Sequence, residues 1–289
     1  MSLSFRNVLP SVSPMAALSS LPTCASPYCP RPATLWQRWW SRREGIWLHD
    51  DWYCSLDCFQ LGLYRRLELS AVTRGPFVLQ QNRIPLGLVL LSQGDISSSQ
   101  LRQALELQKT TKSGKVGEWL MRMGAVSEAQ VTAALAAQQR CPVFPDREPQ
   151  LLPLKLQWPT ALVHGYRALP VFHNAAANTV YVGFLEKVNH SFLYSLEHVL
   201  RCRTRPCIVP LSTYRRRMEL NALCERGETI EIQQRQNSNE MTDAICDFAH
   251  QVRAEHCRIA SCADHLWIRL EPQQKPHVDF LFRPLMSNS

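Results

Sequence analysis

A duplication constrains this chain more than any other feature. Residues 85–108 recur as residues 115–138 at a fixed spacing of 30, which aligns Leu86 with Val116, Gly87 with Gly117, Leu90 with Leu120, Gly94 with Gly124, Ser97 with Ser127 and Gln108 with Gln138. A repeat of this length is one supersecondary unit used twice, because a single copy cannot bury its own apolar face. Each copy predicts a short helix closed by a glycine (Gly94, Gly124), then a second helix. The glycine supplies the positive φ of a helix C-cap. Ser97 with Gln100, and Ser127 with Gln130, have the capping-box spacing that satisfies free amides at the start of the second helix.

Composition changes on either side of the duplication. Residues 1–21 are rich in Ser and Pro without a sustained period and read as a flexible tail. Residues 22–75 hold Cys24, Cys29, Cys54 and Cys58, and five tryptophans (Trp36, Trp39, Trp40, Trp47, Trp52) lie within 17 residues. The repeats occupy 76–146. Residues 147–224 alternate β-rich runs (168–172, 179–183, 206–210) with a helical stretch near 191–202, predicting a small α/β domain. A polar run at 225–240 reads as a linker. Residues 241–289 predict a helix over 241–256 and strands at 266–270 and 278–282, too little to be stable alone, so this tail is expected to dock on something. The fold class expected is α+β: a zinc-ribbon-like mini-domain, a tandem-repeat helical domain, a small α/β domain and a helix-plus-hairpin tail.

The front cysteines form the pairs Cys24-x4-Cys29 and Cys54-x3-Cys58, four soft donors of the kind a structural zinc takes in a closed tetrahedral shell. Ser55 is placed to cap a helix running to about Leu69, which would set Cys54 before that helix and Cys58 in its first turn. His49 is an alternative ligand, and buried thiols among tryptophans are the plainer reading. Cys246, His250, His256, Cys257, Cys262 and His265 supply donors for a second site, against which stands simple packing. Cys202 and Cys207 are expected to remain thiols.

The duplicated pattern R-L-G-x-x-L-x-x-x-G-x-(I/V)-x-x-x-x-L-x-x-(A/x)-L-x-x-Q resembles the MshEN-type, GspE N-terminal-like domain of type II secretion and type IV pilus assembly ATPases. The resemblance is good over 83–214, looser in the tail, and does not extend to the cysteine unit or to an ATPase core. It implies a cyclic-di-GMP site in which leading arginines meet guanine bases while apolar residues and glycines pack on the ligand. Carried over, it implicates Leu86, Gly87, Leu90, Leu91, Gly94, Leu101, Leu105 and Gln108 from the first copy, and Val116, Gly117, Leu120, Met121, Gly124, Val131, Leu135 and Gln138 from the second; the ligand-binding candidates are Arg83, Leu86, Gly87, Leu90, Gly94, Gln108, Lys115, Val116, Gly117, Leu120, Gly124 and Gln138. Pro85 and Lys115 stand at the two leading-arginine positions, and neither has the planar fork that donates twice to a guanine edge. Arg83 lies two residues upstream of the first.

Function classes narrow accordingly. Gly114-Lys115 is followed by Val116, so the phosphate loop GxxxxGK[ST] is absent; GxSxG and HExxH are absent too. No enzyme is expected. The reading is a non-catalytic regulatory or adaptor protein that binds a protein partner, such as a secretion or pilus assembly component, with a cyclic-di-GMP sensor as the alternative. With 32 Lys and Arg against 24 Asp and Glu, the net charge of +8 admits a third reading. Arg31, Arg38, Arg42, Arg43, Arg65 and Arg66 interleave with tryptophans as nucleic-acid binding by phosphate attraction and base stacking would require. No apolar run is long enough to span a bilayer, and Pro10 and Pro14 interrupt the start where an export signal needs an unbroken stretch, so a cytoplasmic protein without membrane insertion is expected.

Overall fold

The computed structural model describes residues 22–30, 45–72, 83–145, 152–223, 227–232, 237–262 and 265–283. The expected tail at 1–21, and Trp36, Trp39, Trp40, Arg31, Arg38, Arg42 and Arg43, lie outside the described residues. The chain forms two compact units, one built from 1–74, 235–258 and 270–275, the other from 75–234, 259–269 and 276–289.

In the first unit, β1 (Ile46–Leu48) and β2 (Asp51–Tyr53) pair antiparallel through a tight turn in which His49 takes φ 58°. The helix α1 (Leu56–Val72) follows, its first turn capped as the sequence predicts by Ser55 Oγ, which accepts from the Cys58 amide at 3.3 Å. Phe59, Leu63 and Leu67 recur every four residues and are buried, giving α1 one apolar face. Across from it packs a helix from the far end of the sequence, with Gln60 Nε2 donating to Asp243 Oδ1 at 2.7 Å. That helix runs Ser238–Val252 and buries Thr242, Ile245, Cys246 and Ala249. β1 also pairs in parallel with the start of the strand Ala254–Cys262, at Trp47 to His256 and Leu48 to Cys257. The tail therefore docks, and its helix packs its buried face on α1.

The second unit begins with the repeats, α2 (Leu86–Gln93) and α3 (Ser98–Thr111) in the first copy, α4 (Val116–Arg122) and α5 (Glu128–Gln139) in the second. Both capping boxes form: the Ser97 and Ser127 amides donate to Gln100 and Gln130 Oε1 at 2.8 and 2.9 Å, and the returning bonds to each serine Oγ are 3.3 Å. The core repeats with the sequence, since Leu90 and Leu120, Ile96 and Val126, Ala104 and Ala134 are all buried in one cluster. Packing crosses between copies, α3 against α4 and α2 against α5. Two side chains close this exchange reciprocally: Gln108 Nε2 donates to the Gly114 carbonyl that leads into the second copy, at 3.0 Å, and Gln138 Nε2 to the Ile84 carbonyl that leads into the first, at 2.6 Å.

Gly94 and Gly124 sit at φ 79° and 69° with nothing within 4 Å of an added Cβ. Their requirement is backbone conformation alone. Gly94→Ala is expected to cost about 1–2 kcal/mol in urea denaturation; an unchanged midpoint would show that the turn relaxes.

Beyond the repeats, β3 (Ala168–Asn174) and β4 (Thr179–Phe184) pair antiparallel, and β5 (Arg203–Ile208) joins β4 in parallel after the crossover helix α7 (His190–Leu200). α6 (Thr160–Tyr166) and α8 (Leu211–Leu223) complete this α/β part. The expected strands and helix are present, shifted by a few residues. Residues 228–232, read from sequence as linker, form β6 (Glu228–Ile232), which pairs in parallel with β9 (Val278–Phe282). A second correction concerns the tail helix, which is α9 and stops at Val252. Arg253 then takes φ 54°, and β7 (Ala254–Cys262) starts where helix was expected, followed by β8 (His265–Pro272). The helical period of 241–252 ends there; burial on both faces of β7 leaves no alternation to read.

Arg269 on β8 is fully buried. Its Nε and Nη2 donate to the two oxygens of Asp279 on β9 at 2.8 Å each, its Nη1 and Nη2 to the carbonyls of Lys155 and Gln157 at 2.9 and 2.6 Å, and Trp267 Nε1 donates to Asp279 at 2.8 Å. This network fixes the two strands to the 3-10 turn Leu154–Leu156.

Candidate functional site

Two arrangements carry chemistry, one in each unit. In the first unit the loop 22–30 is held by the Ala25 amide, which donates to the Trp52 carbonyl at 2.8 Å, and turned by the Cys29 amide bonding to the Ser26 carbonyl at 3.2 Å. This brings Cys24 and Cys29 to Cys54, before α1, and Cys58, in its first turn. The four Sγ atoms lie within 4.8 Å of one another, and Cys29 and Cys54 are 3.5 Å apart. That separation is far too long for a disulfide. A tetrahedral ion with metal–sulfur bonds of about 2.3 Å sets its ligands about 3.8 Å apart, so the cluster closes on a metal with small side-chain movements. His49 is outside the group, with its amide donating to the Cys257 carbonyl at 3.0 Å.

Burial pushes the Cys54 thiol far above its ordinary range, and the neighbouring Cys29, Cys24 and Cys58 push it further; burial also raises Cys24. Thiolates this close require a positive charge between them, which a bound metal supplies. Among the described residues this is the only such cluster. Cys246 and Cys262, considered for a second site, are thiols raised to about 12, chiefly by burial, and Cys202 and Cys207 are likewise buried and unbonded to each other.

Trp52 is buried and the Trp47 ring stacks on His256, so these two tryptophans serve the fold. Arg65 lies over the Tyr28 ring and Arg66 is 3.9 Å from Asp51.

In the second unit a cavity of about 410 Å³ opens where the second copy meets the α/β part. Its floor is apolar, from Leu86, Val116, Met121, Val131 and Leu135, with Leu185, Val209 and Leu211 opposite. Its polar rim carries Arg83, Gln108, Lys115, Gln138, Arg167 and Lys187, together with the carboxylates of Glu118, Glu128 and Glu186. Seven of the twelve ligand-binding candidates thus meet at one cavity: Arg83, Leu86, Gln108, Lys115, Val116, Gly117 and Gln138. The other five do not line it. Leu90 and Leu120 are fully buried in the repeat core, and Gly94 and Gly124 are helix caps. At Gly87 a Cβ would meet Leu101 Cδ1 at 2.5 Å, so that glycine admits a core leucine rather than a ligand.

The rim's cations are held in defined contacts. Arg83 Nη1 donates to Gln139 Oε1 at 2.6 Å, an oxygen that also accepts from the Val188 amide at 3.0 Å. Arg167 Nη1 donates to Glu186 Oε1 at 2.8 Å, and Lys115 pairs with the other oxygen of the same carboxylate. Arg167, at the C-cap of α6 with φ 49°, was invisible as a site residue because it stands some 30 positions beyond the repeats; only its side-chain type was a signal. With Arg83 it gives the cavity two planar guanidinium groups.

Comparison with protein-family models finds no match, and comparison with curated proteins finds none. Among solved structures, this chain is similar to the structure of MshE with cdg, at 24% identity over 48% of this chain and 99% of that one, with a TM-score of 0.39. It is also similar to the N-terminal domain of XpsE, at 14% identity over 46% of this chain and 91% of that one, with a TM-score of 0.35. No described helix is long and apolar enough to cross a membrane.

Proposed function

We propose that this chain is a non-catalytic regulatory module of the kind found at the N-termini of secretion and pilus assembly ATPases, and that it takes cyclic-di-GMP in the cavity of its second unit. The observation that carries this reading is the convergence of motif positions from both repeats on one cavity with an apolar floor and two guanidinium groups. The volume suits part of a dinucleotide, with the remainder at the open rim. Leu86, Val116 and Val131 offer the surface on which a purine packs; Arg83 offers the fork that donates twice to a guanine edge; Lys115, Arg167 and Lys187 offer positive charge to phosphate. In this reading ligand occupancy alters the second unit for a protein partner in the same assembly machinery. The first unit takes a zinc ion on Cys24, Cys29, Cys54 and Cys58, with no coordination position left for substrate, so the metal stabilises and does not catalyse.

Isothermal titration of the full chain with cyclic-di-GMP is expected to show saturable binding, and Arg167→Ala is expected to weaken it at least tenfold, the loss of a charge-assisted guanidinium–phosphate contact of about 1.5–3 kcal/mol. Absence of binding at high micromolar ligand, with the protein folded, removes the reading. A second reading, a purely protein-binding repeat, is favoured by exposed apolar side chains in and just before the first copy, Ile84, Leu88 and Leu105 being 64, 49 and 48% exposed; it predicts no dinucleotide heat at all.

A further inference from the structure

We propose that Glu186 is an internal anion that occupies the phosphate-binding cations of the cavity and sets its affinity by competition. This rests on the reading of the cavity as a cyclic-di-GMP site and names what regulates that site. Three carboxylates stand in the wall. Glu118 accepts from the Lys115 amide at 3.3 Å, and Glu128 accepts from the Ser212 amide and hydroxyl at 2.8 and 2.7 Å, so both serve local backbone and helix-end geometry. Glu186 differs. Its two oxygens are divided between Lys115 Nζ and Arg167 Nη1, cations on separate elements that line the same cavity. One contributes the start of the second repeat, the other the end of α6.

A carboxylate bridging two cations occupies them as a phosphodiester oxygen pair would. Lys115 and Arg167 are about half exposed and Glu186 is 30% exposed, so these are solvent-screened pairs that a better anion displaces at little cost. Lys187, next in sequence, and Arg83 line the same cavity and bring its positive side chains to four. Bound ligand therefore turns Glu186 out of the cation pair, and the carboxylate's residual charge opposes the incoming phosphate. Empty, the site is held closed electrostatically by the protein's own side chain.

The test is a titration of the full chain and of Glu186→Gln with cyclic-di-GMP at several salt concentrations, the fold of both being checked by circular dichroism. Glutamine keeps the shape and one acceptor but removes the charge. The variant is expected to bind about tenfold tighter, with a steeper loss of affinity as salt rises, because its cations are no longer neutralised from within. Equal affinity and equal salt slope overturn the proposal while leaving the site reading intact. Weaker binding by the variant also overturns it, since Glu186 would then position Arg167 for the ligand rather than compete with it. No binding by either protein removes the site reading, and the proposal with it.

Discussion

Stripping zinc from the purified protein with a strong chelator is expected to unfold the first unit, seen as loss of amide-exchange protection in α1 and α9. The four-sulfur site ties the loop 22–30 to the start of α1 beside two strands of three residues each, a corner otherwise held by a few backbone bonds. Structural zinc contributes on the order of 10 kcal/mol or more to such small domains, more than most whole domains have in net stability. Metal analysis is expected to give one zinc per chain, and Cys54→Ser to reproduce the unfolding. The protection loss includes α9, nearly two hundred residues from the cysteines, because that helix packs on α1. Falling pH is expected to protonate the thiolates and release the ion, with the same loss of protection. Retained protection after chelation would exclude the site.

Arg269→Met is expected to destabilise the second unit by about 3–5 kcal/mol, as removal of one partner from a buried ion pair does. The substitution strands the Asp279 carboxylate and two backbone carbonyls, those of Lys155 and Gln157, in a place without water. Asp279→Leu alone is expected to be comparably damaging, and the double variant to recover part of the loss, because two uncharged side chains leave no unpaired charge. Burial raises the Asp279 pKa, but the Arg269 charge, its hydrogen bonds and those of His277 outweigh this and hold the carboxyl below its ordinary value. Its folded pKa being depressed, its contribution is complete above about pH 4 and is lost as pH falls through the folded value. Denaturation of the second unit followed from pH 6 to pH 2 is expected to show this loss in the natural chain and not in the double variant. A change of under 1 kcal/mol on Arg269→Met would mean that water reaches Asp279.

The duplication determined the repeat domain by itself. Helix starts, glycine ends and buried pairs such as Leu90 with Leu120 follow from local capping, backbone sterics and a period in the apolar residues, all of which are properties of short stretches of chain. Ser55 and the two cysteine pairs were legible for the same reason. What the sequence left open was decided by approach between distant segments. Gly87 and Gly117 look alike along the chain, yet only Gly117 lines the cavity, because Leu101 fills the space at Gly87. Arg167 and Glu186 carry no motif, and they became site residues when α6 and the end of β4 were folded against the second repeat. β7 escaped notice because strands buried on both faces lose their alternation, and the docking of α9 on α1 is a pairing of two amphipathic faces that any apolar partner would have satisfied. Local chemistry named the parts; the matching of faces far apart in sequence chose which of them meet.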